Sequence, residues 1–192
     1  MDVARDNILD RVRAALRTPA HQPLPPTSAP IFPSVTDPEA RFREEFTALK
    51  GEFIESGDTL ASFLKGFVKI ATDGSDLVGK TIGEANASVS ESDLGVTSCD
   101  CLVAQTGSVI VSTISAGGRA LSVLPPTHLV IARHEQLIPD LATAMAFLRK
   151  RYDEHWPSAL SVITGPSRTA DIEKILVMGA HGPKRLALYF TE

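Results

Sequence analysis

The chain has 192 residues, 43% hydrophobic and 22% charged, which is enough for one globular domain with a buried core plus an additional segment. Its formal net charge is −4 and no run of five like charges occurs, so nothing indicates a nucleic-acid groove. Because no apolar run reaches ~18 residues and the amino terminus does not resemble a signal peptide, we expect a cytoplasmic protein without a membrane span.

The amino-terminal part of the sequence predicts an arm. Apolar residues at helical spacing between residues 2 and 17 predict an amphipathic helix. Seven prolines follow between residues 18 and 38, which predict an extended linker or strap. We therefore divide the chain into an arm and linker (1–37) and a domain (38–192). The arm docks either on its own domain or on a partner.

From residue 37 onward, predicted helices alternate with short apolar strands. Helices are predicted from Pro38 with Asp37 as N-cap, after Asp58 as N-cap, from Pro139 to Tyr152 and over residues 169–178. Strands are predicted at 53–54, 69–72, 102–105, 109–113, 128–132, 160–164 and 185–190. This alternation favours a layered α/β fold with a largely parallel sheet, and the hairpin-like region 102–113 predicts an antiparallel part.

The two cysteines, Cys99 and Cys101, are too close in sequence for an unstrained disulfide and too few for an iron–sulfur cluster. We interpret them as small apolar side chains at the start of a buried strand, and their spacing predicts that they lie on one face. No His or Cys spacing typical of a zinc site occurs, so we expect no metal or cofactor bound by this chain alone.

The first candidate site segment is the turn Gln105–Ser108. Gly107 permits a close approach of the backbone to a ligand, while its neighbours supply an amide and two hydroxyls. The alternative is a structural hairpin turn between two strands.

The second candidate segment spans residues 119–128. Arg119 follows two glycines and is a candidate for binding a carboxylate or phosphate, and His128 is a candidate acid or base. The alternatives are a solvated surface arginine and a strand histidine held by a local hydrogen bond.

The third candidate segment, TGPSRTADIE (164–173), runs from a predicted strand end into a predicted helix start, where free N–H groups favour an anion. Alternatively, the acidic residues of the first turn satisfy the helix dipole and Arg168 pairs with Asp171. The fourth segment is the turn that begins at His181, with three potential cations or a solvated basic edge. The candidate ligand-binding residues are Gln105, Thr106, Gly107, Ser108, Arg119, His128, Gly165, Ser167, Arg168, Thr169 and His181; no catalytic residue is assigned.

Taken in order, these segments resemble the LUD-domain family of lactate-utilisation protein C. The motifs that carry the resemblance are GVT (95–97), AQTGS (104–108), Arg119, LPPTH (124–128), Ile138-Pro139, ITGPSRTADIE (163–173) and GAHGP (179–183). The resemblance runs from about Pro38 to Phe190.

The resemblance implies a fold like that of glucosamine-6-phosphate isomerases, ribose-5-phosphate isomerases and CoA transferases. It also implies a role in a bacterial system that oxidises L-lactate to pyruvate, with two iron–sulfur proteins as partners. This chain corresponds to the member without a cluster. The family usually has Glu before the Thr-Gly pair where this chain has Gln105, so an activity that used this glutamate as base or nucleophile would be absent here.

The sequence supports three functional hypotheses. The first is a subunit of a lactate oxidation system that binds a small anion. The second is a free-standing enzyme acting on a phosphorylated or CoA-linked small molecule, as proteins of similar fold do. The third is a scaffold whose arm holds partners. Fold alone does not decide between them.

Overall fold

The computed structural model describes residues 3–17, 33–114, 119–169, 177–178 and 182–191. Contacts divide the chain into two compact units, Met1–Pro33 and Ser34–Glu192. Helix α1 (Val3–Leu16) belongs to the first unit. In chain order, the second unit contains α2 (Pro38–Ala48), β1 (Glu52–Ile54), α3 (Gly57–Leu64), β2 (Ile70–Thr72), α4 (Asp76–Ile82), β3 (Leu94–Thr97), β4 (Cys101–Val103), β5 (Ser108–Ser112), β6 (Thr127–Arg133), β7 (Leu137–Ile138), α5 (Leu141–Tyr152), β8 (Leu160–Ile163), β9 (Arg168–Thr169), β10 (Val177–Met178) and β11 (Arg185–Thr191).

Two larger sheets organise the second unit. A five-stranded parallel sheet has the order β1-β11-β6-β3-β2, and a four-stranded sheet has the order β7-β4-β5-β8. In the second sheet β5 pairs antiparallel with β4 and β8, while β7 pairs parallel with β4. The predicted α/β class, with a parallel sheet and an antiparallel part around residues 102–113, is confirmed.

The central strand β6 shows how these layers are held together. Its residues Leu129 and Ile131 pack in a cluster with helices α3 and α4, whereas Val130 and Ala132 pack in a second cluster with α2 and the four-stranded sheet. Successive side chains of a strand point to opposite faces, so a strand buried on both faces reads as a continuous apolar run. Helix α5 packs on the outer face of the four-stranded sheet, against Val103 and neighbouring residues.

The helix starts follow from local capping. The Asp37 side chain accepts a hydrogen bond from Ala40 N at 3.0 Å and Pro38 is the first helical residue, as predicted. The predicted cap Asp58 is wrong: Ser56 caps α3, because its Oγ accepts from Thr59 N at 3.2 Å, and Asp58 lies in the first turn. Helix α5 likewise begins two residues after the predicted Pro139, with Asp140 as its cap.

The helix predicted over residues 169–178 is wrong at both ends. Arg168–Thr169 forms β9 and pairs antiparallel with β10, in a register that sets Thr169 opposite Val177. Both residues are β-branched and favour extended backbone, which overrides the apolar spacing that indicated a helix. Residues 170–176 lie outside the described part of the chain.

The two cysteines do not share a face. Cys99 packs in the cluster between the two sheets, whereas Cys101 packs in the cluster beneath α5. Strand β4 begins only at Cys101, so the strand alternation on which the prediction rested does not extend back to Cys99. Both are buried, as the interpretation as small core side chains requires.

The unit boundary suggests a deletion experiment. Val35 packs against the core cluster between the sheets, although it precedes the domain boundary predicted from the sequence. We expect removal of residues 1–33 to leave a cooperatively folding domain with a melting temperature within a few degrees of the full chain. Removal of residues 1–35 should cost about 1 kcal/mol more, because Val35 is lost from partly buried packing. Thermal unfolding of the full chain and of the two truncated chains measures these differences in stability. An insoluble 34–192 chain would show that the domain needs the arm to fold.

Candidate functional site

Three of the loops singled out in the sequence line one cleft of about 450 Å³. Its lining comes from 122–123, 162–168 and 182–183, together with Leu49 at the end of α2. Residues 122–123 precede β6 and residues 182–183 precede β11, so the cleft lies beyond the amino ends of these parallel strands. Residues 164–168 do follow the carboxyl end of a strand, but that strand is β8 of the other sheet. The rule that ligands collect at the carboxyl ends of the strands of an open parallel sheet therefore does not apply to this cleft. We call it the amino-edge cleft.

A chain of hydroxyl groups connects the two segments that each carry a Thr-Gly pair. Ser108 Oγ lies 2.8 Å from Thr106 Oγ1 and 2.8 Å from Thr164 Oγ1. Ser108 is 1% exposed, so its hydroxyl binds these two neighbours inside the protein. Thr164 contributes to the cleft lining, and these hydroxyl contacts fix its side chain relative to the turn at residue 107.

The two glycines of these segments pack against helix α2. Gly107 has φ +58°, and a Cβ placed on it would lie 2.5 Å from Phe46 N. Gly165 has φ +84°, and a Cβ there would lie 2.8 Å from Leu49 O. At both positions the absence of a side chain thus lets the backbone of the turn lie close to the carboxyl end of α2.

Arg168 projects from the loop into the cleft lining at the start of β9. Its Nη2 donates to Leu49 O, which ties the guanidinium to the end of α2. Among the described residues it has no carboxylate partner, and Asp171 lies outside them. Ser167 is anchored by its backbone, since its N–H donates to Pro183 O at 2.9 Å. Thr169 lies in β9 and so in extended backbone, and residues 170–176, which follow it, lie outside the described part of the chain.

The remaining candidates around the cleft are less close to it. Arg119 is exposed, and its carbonyl accepts a hydrogen bond from Ser122 Oγ at 3.2 Å, but its side chain is not part of the cleft lining. Gln105 is half-buried, and its backbone N–H donates to Pro139 O at 3.0 Å. Residues 115–118 and His181 lie outside the described residues.

His128 is fully buried in the parallel sheet. In the strand register it stands between Gly95 and Leu186, and its Nε2 lies 2.8 Å from Thr97 Oγ1. Its Nδ1 has no hydrogen-bond partner among the described residues. Burial lowers the pKa of His128 to about 4, although the charge of Asp73 acts in the opposite direction. The imidazole is therefore neutral near pH 7.

Asp100 is a buried acidic residue that the sequence did not lead us to single out. Asp100 is fully buried, accepts a hydrogen bond from Tyr152 Oη and lies 3.9 Å from Arg151 Nε. Tyr152 Oη also lies 2.8 Å from Ser112 Oγ. The signal was present, because an Asp inside the apolar stretch Cys99–Val103 must be paired if it is buried. Burial raises the pKa of Cys101 to about 12 and holds that of Cys99 well above its usual value, and the charge of Asp100 adds to both shifts.

A second carboxylate lies at the carboxyl ends of β2 and β3. Asp73 accepts hydrogen bonds from Ser98 N at 2.6 Å and Ser98 Oγ at 2.7 Å, and from Ser75 N at 2.9 Å. These bonds fasten the two strand ends together. Over the described part of the chain no three His, Cys, Asp or Glu side chains cluster as metal ligands would. Nor does any helix there have the length and apolar character needed to cross a membrane.

The fold and these motifs belong to a known family. The model of the LUD domain matches residues 40–191, so the chain is a member of the LUD domain family. Among its relatives, lactate utilization protein C of Bacillus licheniformis is 33% identical over 104 residues, which are 53% of this chain and 43% of that protein. Lactate utilization protein C of Macrococcus caseolyticus is 35% identical over 104 residues, 53% of this chain and 45% of that protein. The matched region thus spans less than half the length of these relatives.

A solved structure shares the fold. The crystal structure of a DUF162 family protein from Deinococcus radiodurans matches with a TM-score of 0.56, over 81% of this chain and 96% of that chain. The two sequences are 18% identical, so this likeness concerns the fold alone.

Proposed function

We propose that this chain is a cytoplasmic component of a system that oxidises L-lactate to pyruvate. The observation that carries the proposal is its similarity, within the LUD domain, to proteins named for lactate utilisation in several bacteria. In this proposal the chain binds no cofactor itself, and iron–sulfur subunits supply the electron-transfer chemistry.

The amino-edge cleft is the proposed binding site for a small carboxylate such as lactate. Its supporting features are the guanidinium of Arg168, the backbone of Ser167 and Gly182, and the hydroxyl of Thr164. Arginine presents a planar fork that matches a carboxylate, and Arg168 is exposed and has no described carboxylate partner. Gln105, Arg119, Thr169 and His181 stay candidates for contacts around this ligand, whereas His128 is fully buried in the parallel sheet and is not part of the cleft lining.

The test of the proposed role is genetic and biochemical. A strain of the native host without this gene should fail to grow on L-lactate as sole carbon source and should recover when the full chain is returned. An affinity-tagged full chain should retain cysteine-rich iron–sulfur proteins from lactate-grown cells. Normal growth of the deletion strain on L-lactate would refute the proposal.

The proposal also predicts the metal content of the isolated chain. The purified protein should be colourless and contain less than stoichiometric iron and zinc, because its two cysteines are buried and carry raised pKa values that disfavour thiolate ligands. Metal analysis and an absorption spectrum measure this directly. One equivalent of tightly bound iron would place the redox centre in this chain.

Substitution of Arg168 tests the binding site. We expect Arg168→Ala to weaken L-lactate binding by roughly ten- to a hundredfold, because a charge-assisted hydrogen bond contributes about 1.5–3 kcal/mol. Arg168→Lys should retain part of the affinity, since it keeps the charge and loses the fork. Calorimetric titration with L-lactate measures the affinity, and thermal unfolding measures the stability of each variant.

The bond from Arg168 to Leu49 O provides the competing account. If the arginine only fastens the loop to α2, Arg168→Ala lowers the melting temperature and leaves lactate affinity unchanged. Arg149→Ala, an exposed arginine in the last turn of α5, is the matched control and should change neither quantity. Unchanged lactate binding in both Arg168 variants would remove the amino-edge cleft from the proposal.

A further inference from the structure

A groove of about 370 Å³ lies between helices α3 and α4, at the carboxyl ends of the central strands β6 and β11. Arg133 is the last residue of β6, and Tyr189 and Thr191 lie at the end of β11. We call it the carboxyl-edge groove. No described residue lines both this groove and the amino-edge cleft, so a ligand bound in the groove is independent of the proposed function.

Within the second unit, the described helices and strands leave this groove open. Helices α3 and α4 pack on one face of the parallel sheet, whereas the chain leaving β6 continues into β7 of the four-stranded sheet, on the other face. A crevice opens at the carboxyl ends of parallel strands where connections depart to opposite faces, and such crevices are where open α/β sheets bind ligands. Its volume is within the range of small-molecule sites, about 300–1,000 Å³.

Among the described residues, the lining of the groove carries positive charge and no acidic side chain. Lys80 of α4 and Arg133 contribute to the lining, and Lys80 has no ion-pair partner among the described residues. Arg133 Nη1 lies 3.6 Å from Glu135 Oε1, and both side chains are at least half exposed. Such an exposed pair contributes little and is easily exchanged for a ligand.

The backbone that carries Arg133 is held in place. Its N–H donates to Gln136 Oε1 at 2.7 Å, and Gln136 Nε2 in turn donates to Cys99 O at 2.5 Å. The arginine therefore projects from a fixed strand end.

The wall of the groove is apolar. Leu60 and Leu64 of α3 face Leu77 of α4 across it, and Leu60 is 4% exposed. A lining that combines cations with leucines suits a ligand with an anionic head and an aliphatic body.

We propose that the carboxyl-edge groove binds a small carboxylate with an aliphatic chain. Arg133 and Lys80 receive the carboxylate, and Tyr189 and Thr191 supply further hydroxyl groups in the lining. Leu60, Leu64 and Leu77 contact the aliphatic chain.

Calorimetric titration of the full chain with sodium hexanoate, acetate and inorganic phosphate tests this site. We expect hexanoate to bind at least tenfold more tightly than acetate, because its additional methylene groups enter the apolar part. Arg133→Gln and Lys80→Gln should each weaken hexanoate binding about tenfold. Both side chains are exposed, so the variants are expected to fold, and each tests the site if the other fails.

Arg168→Gln is the control that separates the two sites. It weakens any carboxylate binding in the amino-edge cleft, whereas the tight hexanoate binding assigned to the carboxyl-edge groove should persist in this variant with unchanged affinity. The proposal is overturned if hexanoate and acetate bind equally, if phosphate binds more tightly than hexanoate, or if neither Arg133→Gln nor Lys80→Gln weakens hexanoate binding. Loss of hexanoate binding in Arg168→Gln would likewise overturn it, by assigning the ligand to the other cleft.

Discussion

Replacing Gly107 with alanine should destabilise the protein by about 3 kcal/mol. Two costs add at this position. A residue with a Cβ loses roughly 1–2 kcal/mol in the left-handed conformation, here φ +58°. The added Cβ would also lie 2.5 Å from Phe46 N and 2.7 Å from Glu45 C, so α2 must move away from the turn, which costs roughly 1–3 kcal/mol. For a chain of this size the melting temperature should fall by about 10 °C.

Gly74→Ala is the matched control for this prediction. Gly74 has φ +70°, but nothing lies within 4 Å of a Cβ placed on it. This variant therefore isolates the conformational cost, and we expect a loss of about 1 kcal/mol. The difference in unfolding free energy between the two variants measures the packing of α2 against the turn. Equal losses would mean that α2 does not press on residue 107.

The layered architecture was predictable because its central strands are buried on both faces. The continuous apolar stretch of β6 and the alternation of strands with helices indicate this class of fold without any tertiary information. Strand β3 and helix α4 were both missed because they are short. Strand β3, LGVT, is short and contains a glycine; α4, DLVGKTI, has only seven residues and thus too few turns for an apolar periodicity to emerge.

The candidate site was predictable in its segments and not in its contacts. The Thr-Gly pairs at 106–107 and 164–165 stood out as loop chemistry, and the structure joins them through Ser108. Helix α2 occupies the space beside both glycines. The residues in contact are about 60 positions from Gly107 and about 116 positions from Gly165 in sequence. No local sequence pattern encodes such a tertiary contact. Strand β9 was missed for a related reason, since it depends on pairing with β10 and not on its own two residues.

The stability of the protein should fall as the pH is lowered from about 6.5 to 4, and His128 should account for about 3 kcal/mol of the loss. Burial lowers the pKa of His128 from 6.5 to about 4 in the folded state. In this window the unfolded chain binds one proton more than the folded chain, so the free energy of unfolding decreases as protons are added. Each pH unit contributes about 1.4 kcal/mol, and the contribution is fully present above pH 6.5.

His128→Gln removes this titration and keeps an amide that can hydrogen-bond to Thr97 Oγ1. Urea unfolding of the wild type and the variant at intervals between pH 7.5 and 4 gives the free energy of unfolding of each. The groups that titrate in both proteins cancel when the unfolding free energy of the variant is subtracted from that of the wild type. This difference should decrease by about 3 kcal/mol as the pH falls across the window, because only the wild type loses the contribution of His128. A His128→Gln variant with the same pH dependence as the wild type would show that this histidine is not buried as a neutral group.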